Sequence, residues 1–280
     1  MRIAQILTVG ALSLAMVSTA SAERRPGLGG KYAARNITAA QGSLLVIAGP
    51  TTTQQLGSTG FGGPGITYTS FPDIDLGPLG TIEVDPFITA GIGAAYGITP
   101  ELEAGVFLPL LLSGPEGSDT LGSASIFATY AMDMGKFDVG GRVTANIGIA
   151  DGVDNGVTIG IPFLTKVGMN GRLDAGVFVP LTFGDETGKS LNIPIRYGHS
   201  ITPKIFLGAE TGLYLPDIKT DFATIPFSVF GGYTLLAGGN VVDLGLSFGL
   251  PGFISLAEGA ENPGTDIMQI SVGTNVQMAF

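Results

Sequence analysis

From about residue 42 to the C-terminus the chain alternates apolar and polar positions with a period of two. Read backwards, Phe280, Met278, Val276, Thr274, Val272, Ile270 and Met268 fall on one side, and Gln277, Asn275, Gly273, Ser271 and Gln269 on the other. This is the signature of a strand with one apolar and one polar face. The same alternation recurs upstream between short connections, GITPE (97–101), DMGK (133–136), GMNGR (168–172), GHSITP (198–203) and AGGN (237–240). Between them fall longer ones: 50–81, SGPEGSDTLG (113–122), ADGVDNG (150–156), FGDETGKS (183–190), PDIKTDFA (216–223) and PGFISLAEGAENPGTD (251–266). Five short and six long connections separate twelve strands, the first over 42–49; ITYTSF within 50–81 offers further pairing, so ten and fourteen are the alternatives. EAGVFLPL (103–110) returns as DAGVFVPL (174–181), with degenerate copies TGLYLPD (211–217) and DLGLSFGLP (243–251). Their prolines, at 109, 180, 216 and 251, lack a ladder donor and are expected where a strand leaves the sheet.

Composition excludes several classes. Of 280 residues 45% are hydrophobic and 13% charged, and mean hydropathy is +0.42, yet beyond the N-terminus no run reaches the ~18 apolar residues of a spanning helix. The N-terminus reads as a signal peptide over 1–22, with Arg2, an apolar core from Ile6 to Val17 and cleavage after Ala22 in Ala20-Ser21-Ala22. Residues 23–41 follow as a flexible N-terminal segment, and 42–280 as the strand-bearing domain.

A leader, hairpins joined alternately by short and long connections, an even strand number and a last strand ending on Phe280 together resemble the bacterial outer-membrane β-barrel proteins. The resemblance implies an all-β fold, a closed antiparallel transmembrane β-barrel of about 12 strands. It places the chain in the outer membrane of a Gram-negative cell with 23–41 periplasmic. Lipid and the barrel assembly machinery are the implied partners, and Phe280 is the assembly signal. No motif specific to one branch of that group is present.

With the apolar parity facing lipid, every charged residue inside a strand turns to the lumen: Glu103, Asp138, Arg142, Lys166, Asp174, Arg196, Glu210 and Asp243. A charge facing lipid near the midplane would cost ~2–4 kcal/mol, so the shared parity checks the register. Tyr96, Tyr130, Tyr197 and Tyr233 fall outward at the periplasmic ends, as an aromatic girdle. Glu103, Asp138, Asp174 and Asp243 occupy the first inward positions of upward strands, with Lys166 opposite Asp174 and Arg196 at similar depth. They read either as a cation-favouring constriction or as a salt-bridged brace. Phe87, Phe107, Phe127, Phe178, Phe206, Tyr214 and Phe230 also point inward, as a path for apolar solutes or as packing of a narrow lumen. Inward glycines argue for space; the 50–81 segment is long enough to fold in as a plug.

Little catalytic material exists. Cys and Trp are absent, and the one His, His199, falls in a predicted turn. GDETGKS has three residues between its glycines where a phosphate loop has four, and Val153 spoils the calcium-loop spacing of ADGVDNG. A net charge of -10 and a pI of about 4.4 exclude nucleic acid. The expectation is a passive porin-like channel for small solutes, with no cofactor, catalytic residue or metal site. The alternative is a closed structural or surface-interaction barrel, and an outer-membrane enzyme comes third.

Overall fold

The computed structural model of the protein describes residues 31–48, 65–75, 81–82, 84–114, 120–150, 152–184, 187–237, 240–256 and 267–279. The strands are β1 (Ser43–Ala48), β2 (Ile66–Ser70), β3 (Ile74–Asp75), β4 (Thr81–Ile82), β5 (Phe87–Gly97), β6 (Leu102–Ser113), β7 (Ser123–Asp133) and β8 (Phe137–Gly148). They continue as β9 (Asn155–Val167), β10 (Gly171–Phe183), β11 (Thr187–Ser200), β12 (Ile205–Pro216), β13 (Thr224–Ala237), β14 (Asn240–Ser255) and β15 (Met268–Ala279). From β5 to β15 each strand pairs with the next, and β1 and β2 both lie between β15 and β5, closing the barrel; β3 and β4 pair separately.

The first barrel strand is composite. On the β15 side Ala48 faces Thr274 and Ile66 faces Val272; on the β5 side Ile47 faces Gly93 and Ile66 faces Ala90. Gly91 donates its N–H to Gly65 O at 2.9 Å. Residues 48 and 65 therefore take consecutive places in the ladder, with the chain of 49–64 inserted between them. β1 and β2 together fill one position beside β5–β15, so twelve strand positions close the barrel. The pairing of ITYTSF completes the first strand instead of adding a hairpin.

Alternation sets the two faces. Ile92, Val106, Ile126, Ile161, Leu207 and Leu246 are exposed on the outside, and the charged residues Glu103, Arg142, Asp174, Arg196 and Asp243 are buried inside. An apolar exterior around a polar interior is the arrangement of a barrel whose solvent is lipid. Tyr96, Tyr197 and Tyr233 are exposed on that exterior at the short-turn end, and Tyr130 shares their end and face.

Three local expectations change. β6 runs on past Pro109 to Ser113, β10 past Pro180 to Phe183 and β14 past Pro251 to Ser255; Pro216 alone of the four ends its strand. At Pro109 the reason is visible. Its partner Gly91 donates away from β6, so the missing donor of Pro109 points toward β7, where the ladder has already ended at Phe107. The FGDETGKS connection contracts to 184–186, because Thr187–Ser190 belong to β11; a phosphate loop opening a helix is thereby ruled out. His199 is also a β11 residue rather than part of a turn, exposed and 3.2 Å from Tyr197 Oη through Nδ1.

The inward glycines and inward rings are one device. A Cβ on Gly160 would lie 2.0 Å from the Phe178 ring, on Gly176 2.3 Å from the same ring, and on Gly105 2.4 Å from Phe127. Each ring occupies the space that a neighbouring glycine leaves. Phe178 is held between two such positions and cannot retreat. Gly160→Ala is accordingly expected to lower stability by about 1–3 kcal/mol through overpacking, read as a lower heat-modification midpoint on gels. Gly141→Ala, where a Cβ meets nothing within 4 Å, is expected to leave it unchanged.

Candidate functional site

The segment ahead of β1 departs furthest from the sequence reading. The sequence predicts a flexible periplasmic segment over 23–41; its described part, from 31 onward, crosses the lumen at the short-turn end. Tyr32, Ala33, Ile37 and Ala39 are all buried. Lys31 Nζ reaches Asn170 Oδ1 at 3.5 Å, and Ala33 N–H donates to Ser200 Oγ at 3.2 Å. Thr38 Oγ1 donates to Pro100 O at 3.1 Å on the far side. Ile37 packs with Ala131 and Leu164, and Ala39 with Leu45, Ile47, Ala95 and Phe127. The path touches the wall on both sides, at Ser200 of β11 and at Pro100 and Ala95 by β5, so it spans the mouth.

Its anchor is Tyr32, in a short 3-10 turn, Tyr32–Ala34. The ring stacks on Phe206 with centroids 4.8 Å apart and planes 13° from parallel. A Cβ on Gly198 would lie 2.2 Å from it, so this glycine makes the seat. Burying the ring is worth roughly 1.5–3 kcal/mol, with about 0.5–1.5 more from the ring pair, against which the buried Tyr32 hydroxyl, with no hydrogen-bond partner among the described residues, costs about 1–3 kcal/mol. Arg172 and Arg35 lie 5.5 and 5.7 Å from the ring centroid.

Around the segment runs a layer of paired charges. Arg172 Nε donates to both oxygens of Asp174 at 2.9 and 2.8 Å and its Nη2 to Oδ1 at 2.7 Å, while its Nη1 holds Arg35 O at 3.2 Å. Arg196 donates twice to Glu210 Oε2, at 2.8 and 2.7 Å. Arg35 forks onto Asp243, through Nη2 to Oδ1 at 2.8 Å and Nη1 to Oδ2, and Thr234 Oγ1 adds a bond to Oδ1 at 2.7 Å. Glu103 Oε2 accepts the Ala39 N–H at 2.8 Å, and its Oε1 lies 3.8 Å from Arg142 Nη1. Two of these acids, Glu103 and Asp243, are thus engaged by the N-terminal segment itself.

Arg172, Arg35 and Tyr32 went unrecognised in the sequence. Arg172 has the inward parity but falls in the predicted GMNGR turn, whereas β10 begins at Gly171. Asp174 is held by Arg172 of its own strand, while Lys166, exposed at the end of β9, faces Arg172 and not Asp174; Leu164 faces Asp174. The signal available for both arginines is a shortage: five inward acids stand against three inward bases, and Arg172 of the wall and Arg35 of the N-terminal segment are the two cations that make it up. Asp138 is buried on the inward face as expected.

Of the inward aromatics, Phe107, Phe127, Phe178, Phe206 and Phe230 are buried. Phe87 is half-buried against Phe71, centroids 5.0 Å apart. Tyr214 is exposed near the long-loop end, where Leu215 is the buried neighbour. Above the charged layer a cleft of about 280 Å3 opens between β6 and β10, with Arg142, Asn146, Thr158 and Ser125 beside Phe107 and Phe178. The leader, the 49–64 insertion and Phe280 lie outside the described residues. Only parts of the 50–81 segment are described, and of these Ile66–Ser70 form wall, not plug.

No protein-family model matches the chain, and no curated protein matches it. Solved structures do. The NanC porin aligns over 84% of this chain and 98% of its own, at 8% identity and a TM-score of 0.52. An outer membrane channel from Pseudomonas putida F1 aligns over 91% of this chain and 98% of its own, at 13% identity and a TM-score of 0.50. The chain shares the closed antiparallel β-barrel fold of these outer-membrane proteins. Within that fold, this barrel's short-turn mouth holds Tyr32 and Arg35 from its own N-terminal segment.

Proposed function

We propose that the protein is a bacterial outer-membrane channel for small solutes whose periplasmic mouth is closed by residues 31–41 and opens when that segment leaves the lumen. In this reading the chain is exported through a cleaved leader, Phe280 is read by the barrel assembly machinery, and the long loops face the outside. The observation that carries it is the way the segment is held. Residues 32–39 add no strand to the ladder; side chains seat them, chiefly Arg35 on Asp243 and Tyr32 on Phe206. Such contacts release without breaking the barrel, whereas a mouth closed by wall strands would not. The inward acids then act as a brace and docking layer, because Arg172, Arg196 and Arg35 answer them.

Planar-bilayer recording tests this. The full chain is expected to show low, flickering conductance, and a variant lacking residues 31–39 a sustained conductance several-fold higher. A deletion variant that inserts, shifts on heating as a folded barrel does and still carries no current would favour the closed structural barrel. That second reading draws on the same burial of the segment.

A further inference from the structure

We infer that the cleft above the plug is a binding site for a small carboxylate with an apolar body, its carboxylate on Arg142. The inference rests on the channel reading for such a solute being cargo, though not for its being bound.

Arg142 differs from the other lumen arginines. Arg35, Arg172 and Arg196 each donate to a carboxylate at 2.7–2.9 Å. For Arg142 the carboxylate of Glu103 stands 3.8 Å away, and the other oxygen of Glu103 accepts the Ala39 N–H. Thr129 Oγ1, at 3.1 Å, is a neutral partner, and Nε has no hydrogen-bond partner among the described residues. Arg142 is nonetheless 4% exposed. A buried guanidinium short of an anion is costly, and a carboxylate is the planar group that its fork fits. Phe127 covers the flat face, 3.9 Å from the guanidinium carbon, which leaves the edge for an anion.

The rest of the cleft fixes the other half of the ligand. Phe107 and Phe178 are apolar walls, and the volume, about 280 Å3, is at the small end of ligand pockets. Ser125 Oγ donates to Asn146 Oδ1 at 2.7 Å, so the amide's donor end is what Asn146 has left to offer. One cation and donor groups set among rings suit a single negative charge on an apolar body. A doubly charged anion would exceed what one half-answered arginine neutralises.

Calorimetry on the full chain in detergent tests the site with benzoate, benzamide and acetate. Benzoate is expected to bind at least tenfold more tightly than either of the others. Arg142→Gln should cost at least tenfold in benzoate affinity, with partial recovery in Arg142→Lys. Equal binding of benzoate and benzamide, or undiminished benzoate binding by a folded Arg142→Gln barrel, would overturn the inference. If Arg142→Gln does not fold, the wild-type ratio of benzoate to benzamide decides, together with Asn146→Leu, which should weaken benzoate. No heat from any of the three, beside a deletion variant that conducts, would remove the site and leave the channel. Benzoate binding beside a deletion variant that never conducts would do the reverse.

Discussion

Asp174→Asn is expected to destabilise the folded barrel by about 3–5 kcal/mol, the range for removing one partner of a buried ion pair. Asp174 and Arg172 are both fully buried, and three hydrogen bonds join them. The substitution leaves a guanidinium in the interior with a neutral amide in place of its anion. Arg172→Met in the same background should recover much of the loss, because it removes the stranded charge; recovery stays incomplete, since Arg172 also holds Arg35 O. Lys166→Met should recover nothing, as Lys166 is exposed and stands across from Arg172. Urea midpoints of the three variants and the unmodified chain, read by gel mobility without heating, separate these outcomes. Rescue by Lys166→Met would mean that the ladder between β9 and β10 is two residues out of place.

That two-residue difference shows what sequence could and could not supply. The strands were legible because lipid on one side and a polar lumen on the other force every position to choose a face, and the choice repeats with period two. Charge parity then confirmed which face was which. Parity is blind to a shift of two, however, and the GMNGR connection admits more than one turn. Placing the turn at 168–172 set Lys166 opposite Asp174; the ladder runs Gly171 to Val167, so Arg172 joins the strand and takes Asp174 for itself.

The composite first strand was hidden for a different reason. Its halves are six and five residues long and lie on either side of 49–64, so neither half reads as a spanning strand. The plug had no periodic signal at all. Residues 31–41 touch polar wall on one side and rings on another, a setting that imposes no fixed repeat on the sequence. What it leaves is part of a charge imbalance, five inward acids for three inward bases, which Arg35 makes up together with Arg172 of the wall.

The most direct measurement of the plugged-channel account is conductance with the N-terminal segment locked in place. The chain has no native Cys, and Ala33 N lies 3.2 Å from Ser200 Oγ, so the two residues stand against each other across the contact between segment and wall. In Ala33→Cys/Ser200→Cys the oxidised barrel is expected to stay closed, and a reductant added to the same bilayer should restore the openings of the unmodified chain. Equal, sustained current before and after reduction, from a barrel shown to be fully cross-linked, would contradict the account.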